Sequence, residues 1–340
     1  MKNMPRTWII SAVLITGLSI IAYVTLPSDD APVHSLPHTA TLEESLNKRN
    51  EVHPMSITAL RNRTYPGSSL AIEQTLPRGT NYEQYIASYQ SDGLKIFGLL
   101  TIPVGQKPER GYPAIVFVHG YIPPSQYSTT KNYATYQAVL AKNSFVTFKP
   151  DLRGHGKSEG EPVSAHFSES YVVDTLNAIS SLRQHPDVDP QRIGYWGHSN
   201  GGEIGLRSIV ISHNIKAAVL WAGVVGSFVD MLETYNDKIP FLKNTDHALV
   251  QENGLPSTNL HFWNSIDPYS YLHDIETPIQ LHHGTTDSRV PVELSRRLTE
   301  ELKKVPTDVE YYEYPGDDHN ISQNFSSAWQ RTINFYKTHL

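Results

Sequence analysis

The pentapeptide Gly197-His198-Ser199-Asn200-Gly201 sets a serine between two glycines, directly after the apolar run Ile193 to Trp196 and at the start of a helix-length stretch. Strand, sharp turn and helix in that order lift the serine Oγ above a sheet at a helix N-terminus, where developing negative charge is favoured. A serine hydroxyl becomes a nucleophile when an imidazole takes its proton and an acid holds that imidazole in the right tautomer. His319, in Tyr314-Pro315-Gly316-Asp317-Asp318-His319, follows the β-rich run Val309 to Tyr314 and precedes the last helical stretch. Asp287, in Gly284-Thr285-Thr286-Asp287-Ser288-Arg289-Val290-Pro291, comes just after the run Ile279 to His282. All three follow the carboxyl ends of expected strands, where open α/β sheets place their sites. Among rival acids, Asp267 precedes Pro268 and reads as a turn residue. Asp317 and Asp318 are too near His319 in sequence to reach its far ring nitrogen easily.

An acyl-transfer site also needs preorganised N–H donors for the oxyanion. The backbone N–H of Asn200 is one expectation, and that of Tyr121, in the loop His119-Gly120-Tyr121, is the other; the hydroxyl of Tyr127 is the alternative to Tyr121. Asp151-Leu152-Arg153-Gly154-His155-Gly156-Lys157-Ser158 lacks the spacing of a phosphate loop and reads as a structural loop lining the site. Glu203 and Arg207 form an i, i+4 pair on the helix that follows the serine.

The elements that must hold these residues are written in the hydrophobic pattern. Ala114 to His119, Phe145 to Lys149, Ile193 to Trp196, Ala217 to Trp221 and Ile279 to His282 are short, nearly continuous apolar runs, as in strands buried on both faces. Amphipathic stretches separate them: Tyr133 to Lys142, Tyr171 to Gln184, Gly201 to His213, Val292 to Lys303 and Asn324 to His339. Strand and helix in alternation predict a doubly wound α/β sheet with helices on both faces. Ahead of it, Tyr82 to Gln90 and Leu94 to Ile102 flank Ser91-Asp92-Gly93, a hairpin signal. Gly223 to Tyr271 breaks the rhythm and is expected to be an inserted cap.

The chain has 340 residues, 39% of them hydrophobic, 18% charged and a formal charge of −6, enough for a large core and no basic block for nucleic acid. It has 0 cysteines, which excludes disulfides, thiolate metal sites and a cysteine nucleophile. Lys2 and Arg6 precede a charge-free run from Trp8 to Leu26, and Asp29 and Asp30 follow it. This predicts an uncleaved signal anchor over residues 1–27, with the N-terminus cytoplasmic and the rest of the chain periplasmic or extracellular. Residues 28–81 read as linker and approach segment, with a short helix around Leu42 to Arg49, and the catalytic domain is expected over 82–340.

The motifs GYWGHSNGG, HGTTDSRVP, YPGDDH, VHGY and DLRGHGKSEG, with DPQRIG before the serine's strand, resemble the α/β-hydrolase superfamily and, within it, the catalytic domains of the prolyl oligopeptidase family of serine peptidases. The resemblance covers roughly residues 82–340. It implies a mostly parallel α/β-hydrolase sheet, Ser199 as nucleophile, Asp287 and His319 as its partners, Tyr121 and Asn200 as oxyanion donors, no cofactor or metal, and short peptides as substrates. Two departures bear on the substrate. About 55 residues between the apolar run and the domain are too few for two propeller blades of ~40–45 residues. His198 and Asn200 also stand where such peptidases often carry Gly and Tyr. A carboxylesterase acting on acyl or carbohydrate esters is therefore an alternative; a catalytically idle binding protein on a hydrolase scaffold is the rival from another class, and the complete set of Ser, Asp, His and oxyanion glycine argues against it.

Overall fold

The computed structural model describes residues 52–238 and 248–340. The expected signal anchor and the helix near Leu42 lie outside the described residues. Among those described, no helix is long and apolar enough to cross a membrane.

Among the described residues nine strands form one sheet: β1 (Ala71–Leu76), β2 (Tyr82–Ser91), β3 (Leu94–Pro103), β4 (Tyr112–Val118), β5 (Val146–Pro150), β6 (Val188–His198), β7 (Ala217–Trp221), β8 (Ile279–Gly284) and β9 (Val309–Tyr314). Their spatial order is β1-β2-β3-β5-β4-β6-β7-β8-β9. The block from β5 to β9 pairs in parallel, while β1, β2 and β3 pair antiparallel at one edge. In the β2–β3 hairpin both turn residues, Asp92 and Gly93, have positive φ, as a two-residue primed turn requires.

Helices are α1 (Ile57–Asn62), α2 (Ala134–Lys142), α3 (Ser170–Arg183), α4 (Asn200–Ile211), α5 (Ala248–Asn253), α6 (Leu260–Ile266), α7 (Val292–Leu302) and α8 (Phe325–His339). The two-residue period of a strand divides the core. Ala114, Val116 and Val118 of β4 join α3, α4 and α7 in one cluster. Ile115 and Phe117 turn to the other face and meet α2 and α8. Each fully buried Ile or Phe there contributes about 1.5–3 kcal/mol. Under the site, Trp196, Trp221 and Trp329 form a triangle with ring centroids 5.0, 5.5 and 5.6 Å apart.

The domain begins earlier than residue 82. One compact unit runs from Val52 to Leu340. Within the stretch read as linker, Ile57 and Leu60 of α1 are buried in the core, and β1 extends the sheet. The physical reason is composition: β1 is an edge strand with five of its six residues exposed, so it carries no apolar signature. In the described parts of the segment Gly223 to Tyr271, Phe228, Leu232, Leu249, Phe262, Trp263 and Ile266 form one cluster that Met55 closes.

Candidate active site

β6 ends in the turn expected from the sequence. Ser199 stands at its apex with φ 56° and ψ −118°, and α4 starts at the next residue. A non-glycine residue at such a φ is strained, and the surroundings hold it there: Ser199 N–H donates to the Trp221 carbonyl at 3.0 Å, and the Ser199 carbonyl accepts from Gly202 and Val224 at 2.8 and 3.1 Å. Gly201 is required by proximity, since a Cβ there would lie 2.3 Å from the Val118 carbonyl oxygen.

Asp287 and His319 meet in the loops after β8 and β9. The His319 Nδ1 lies 2.7 Å from Asp287 Oδ2, with the carboxylate side chain fully buried and the imidazole 12% exposed. A second histidine shares the same oxygen. His283 Nε2 is 3.1 Å from Asp287 Oδ2 and 3.1 Å from the Val290 carbonyl, so Nε2 carries the proton, and Nδ1 accepts from the Ser295 hydroxyl at 2.7 Å. Asp287 Oδ1 accepts from the backbone N–H groups of Arg289 and Val290 at 2.8 and 3.0 Å. Burial alone would raise the carboxyl's proton affinity, but hydrogen bonds from His283 and His319 dominate and hold Asp287 well below the usual carboxylate range. It is therefore an ionised acceptor with four donors around it.

Ser199 and His319 line one cleft with His198, Tyr133 and Arg289. Among the described residues no hydrogen bond joins Ser199 Oγ to His319, and such bonds often tighten only with substrate bound. His198 Nε2–H donates to the His319 carbonyl at 2.9 Å, and the Tyr133 hydroxyl donates to His198 Nδ1 at 2.6 Å. Burial pushes His198 down to about 3, so it is neutral and keeps that tautomer. The Tyr133 oxygen in turn accepts the Gly120 N–H at 3.2 Å. This chain of bonds ties the loop of Tyr121 to the loop of His319.

The loop His119-Gly120-Tyr121 passes over the serine: a Cβ on Gly120 would lie 3.0 Å from Ser199 Cβ. The Asn200 N–H opens α4 and belongs to the amides that a helix leaves without intrahelical partners. Tyr127 does not take the alternative role. It is 8% exposed, its hydroxyl donates to Asp151 at 2.8 Å, and it accepts from the buried Lys149 ammonium at 2.9 Å. The loop of Leu152 and His155 lines a second, largely apolar cavity of 230 Å³ beside Asn200, closed by Val163, Ala165 and Ile204. Glu203 and Arg207 are not a solvated pair. Both are buried, 3.6 Å apart, and Arg207 donates to the Ser168 carbonyl at 2.9 Å beneath that cavity's wall. Burial pushes Glu203 up to about 8.

Sequence reading missed His283, His198 and Tyr133. Adjacent side chains on a strand face opposite ways, and in His282-His283 this sends His282 to Tyr314 and His283 to Asp287. The pair of histidines was visible, but the bond that His283 donates to Asp287 was not. Among the described residues no cluster of His, Asp and Glu is placed to hold a metal ion.

A doubly wound sheet with a strained serine at a strand-to-helix turn and a histidine–aspartate pair beyond it defines an α/β-hydrolase. Residues 131–340 match the model of the prolyl oligopeptidase family, and the chain belongs to that family as a serine hydrolase. It is 29% identical over 231 residues to the uncharacterized peptidase YtmA of Bacillus subtilis, covering 68% of this chain and 83% of that protein. It is 22% identical over 261 residues to dipeptidyl-peptidase 5 of Porphyromonas gingivalis, covering 73% of this chain but 35% of the relative. The chain thus spans most of one relative and about a third of the other. Two solved structures share the fold. An acetyl xylan esterase from Paenibacillus sp. R4 superposes with TM-score 0.63 at 18% identity, over 84% of this chain and 92% of the esterase. The Pyrococcus horikoshii acylaminoacyl peptidase superposes with TM-score 0.63 at 23% identity, over 77% and 42% of the two chains.

Proposed function

We propose that the chain is a serine peptidase of short peptides that works through an acyl-enzyme. The observation that carries this reading is the four-donor seat of Asp287, which presents one oxygen to His319 Nδ1 at 2.7 Å and leaves the imidazole's other nitrogen for the cleft that Ser199 lines. In the first half-reaction the Ser199 hydroxyl proton passes to His319 Nε2 as Oγ bonds to the substrate carbonyl carbon. The N–H groups of Asn200 and Tyr121 hold the oxyanion, and Asp287 stabilises the imidazolium. His319 then returns the proton to the departing amine. Water, deprotonated by the same imidazole, hydrolyses the acyl-enzyme in the second half. The 230 Å³ cavity beside Asn200 suits one apolar side chain on the acyl side. The peptidase names of the relatives support amide over ester substrates.

The test is fluorophosphonate labelling of the full-length chain and of Ser199→Ala, with mass mapping, followed by matched amide and ester panels. An adduct on Ser199 together with amide turnover is the expected result. Wild-type turnover by Ser199→Ala would overturn the mechanism, and turnover confined to esters would overturn the peptidase reading alone.

A further inference from the structure

Ser199 works between two groups that belong to different parts of the chain: the Tyr121 N–H in the loop after β4, and the His319 imidazole in the loop after β9. Acyl transfer requires both at fixed places around one oxygen. Asp287 seats the His319 ring at Nδ1. The backbone of His319 is seated separately, because His198 Nε2–H donates to its carbonyl and the two rings pack with centroids 4.6 Å apart. On the other side, the peptide plane that carries the Tyr121 N–H also carries the Gly120 carbonyl, and planarity makes one follow the other. That carbonyl accepts from His119 Nδ1 at 2.7 Å, and the Gly120 N–H donates to the Tyr133 hydroxyl.

The bond from Tyr133 to His198 joins the two halves, and its sense is forced. An amide N–H at one end can only donate and a carbonyl at the other can only accept, so every group between them must do both. Neutral His198 does so with its two nitrogens, and Tyr133 with its one oxygen. Gly120 lets the loop approach, since a Cβ there would lie 2.7 Å from the Tyr133 hydroxyl and 3.3 Å from His198 Nδ1. Tyr133 is a bulky residue at φ 59° and ψ 8°, directly ahead of α2. Such a conformation persists where the surroundings over-determine it, and here the hydroxyl is bonded on both sides while the ring packs against Tyr136 and Phe117 at 5.3 and 5.9 Å. His198 stands where the related peptidases often carry glycine, and a glycine offers neither nitrogen, so the bridge depends on that departure.

We propose that His198 and Tyr133 are positioning residues that set the separation of the oxyanion amide from the His319 imidazole across Ser199. The assignment rests on the serine-hydrolase mechanism above and deepens it. Neither residue supplies the proton or an oxyanion donor. Each acts through the loop it holds, so its loss lowers the rate of the chemical step and leaves binding of the first encounter unchanged.

The probe is an alkyl fluorophosphonate, taken to concentrations that saturate the inactivation rate. Ser199 Oγ bonds to phosphorus, its proton goes to His319 and fluoride leaves. The limiting rate reads how both groups are seated, the half-saturating concentration reads binding, and the fraction of chain labelled reads folding. All three are measured in the full-length wild type, Tyr133→Phe, His198→Leu, His198→Gln and the double variant Tyr133→Phe/His198→Leu. Tyr133→Phe removes one oxygen from a packed ring and carries the test even where His198→Leu fails to fold. We expect its limiting rate to fall about 3- to 10-fold at an unchanged half-saturating concentration. His198→Leu falls at least as far, and His198→Gln, which keeps a donor for the His319 carbonyl, recovers part of the loss. Once His198 is gone, the Tyr133 hydroxyl has lost its acceptor, so its removal costs less than about twofold in the double variant. A wild-type limiting rate in Tyr133→Phe, a loss confined to the half-saturating concentration or to the labelled fraction, no recovery in His198→Gln, or multiplying effects in the double variant each overturn the assignment and leave the mechanism standing. Equal labelling of Ser199→Ala, or none of the wild type, overturns the mechanism beneath it.

Discussion

Replacing His283 tests the idea that the donors around Asp287 set its work. His283→Leu removes the Nε2–H, and His283→Gln keeps an N–H donor at nearly the same place. A hydrogen bond to a charged group contributes about 1.5–3 kcal/mol. Here the donor divides itself between Asp287 Oδ2 and the Val290 carbonyl, each at 3.1 Å, so the lower end applies. About 1.5 kcal/mol is the ceiling on what poorer seating of Asp287 costs, a fall of up to roughly tenfold in the rate of Ser199 labelling by a fluorophosphonate. Stability responds to the same donor. A carboxyl held below its unfolded value stabilises the fold above that value, and the contribution is lost as pH falls through the folded one. The melting-temperature gap between wild type and His283→Leu therefore narrows below about pH 4, near the unfolded value for Asp. His283→Gln restores most of the rate. A leucine variant with the wild-type rate, or a glutamine variant as impaired as the leucine one, refutes the reasoning.

Ser199→Gly and Ser199→Ala are both inactive, but the glycine variant melts higher, by up to about 1 kcal/mol, because only glycine relieves the strain of φ 56°; thermal unfolding of the pair checks it. Gly201→Ala forces a Cβ to 2.3 Å from the Val118 carbonyl and is expected to cost about 3 kcal/mol and abolish labelling. Glu203, pushed up to about 8 by burial, disfavours folding once ionised, so its contribution falls as pH rises from its unfolded value towards 8 and is level beyond. Glu203→Gln flattens that slope in denaturant titrations across the same range, and an identical slope would exclude Glu203 as its source.

The sequence was most legible where the physics is local. Ala217 to Trp221 is read as a strand and found as one with the same bounds, because five apolar residues buried on both faces admit few other accounts. The elbow, too, is a local object, since its glycines answer clashes within a few residues. Asp287 was favoured by placement after a strand, and in the structure it is the acid that meets His319. What stayed illegible is non-local or polar. β1 has no apolar face to announce it, and α1 is recognised only once Ile57 and Leu60 find α4 and the cap beside them. Glu203 and Arg207 look like a surface pair because helix spacing does not reveal which face is buried. Tyr133 lies 65 residues from His198, and no spacing rule links them before the sheet brings them together.

The tryptophan triangle gives the protein a built-in optical reporter. Three of its 5 tryptophans sit within 5.0 to 5.6 Å of one another, close enough for their excited states to mix and give a near-ultraviolet dichroism band that vanishes when the packing loosens. Trp196 also stacks on His198 at 6.3 Å, and His198 donates to the carbonyl of His319. Under the proposed mechanism, a shift of the His319 loop on acylation would reach an emitting indole in two contacts. Formation and breakdown of the proposed acyl-enzyme would then be timed by fluorescence in the unlabelled protein, with any substrate and without a chromogenic leaving group.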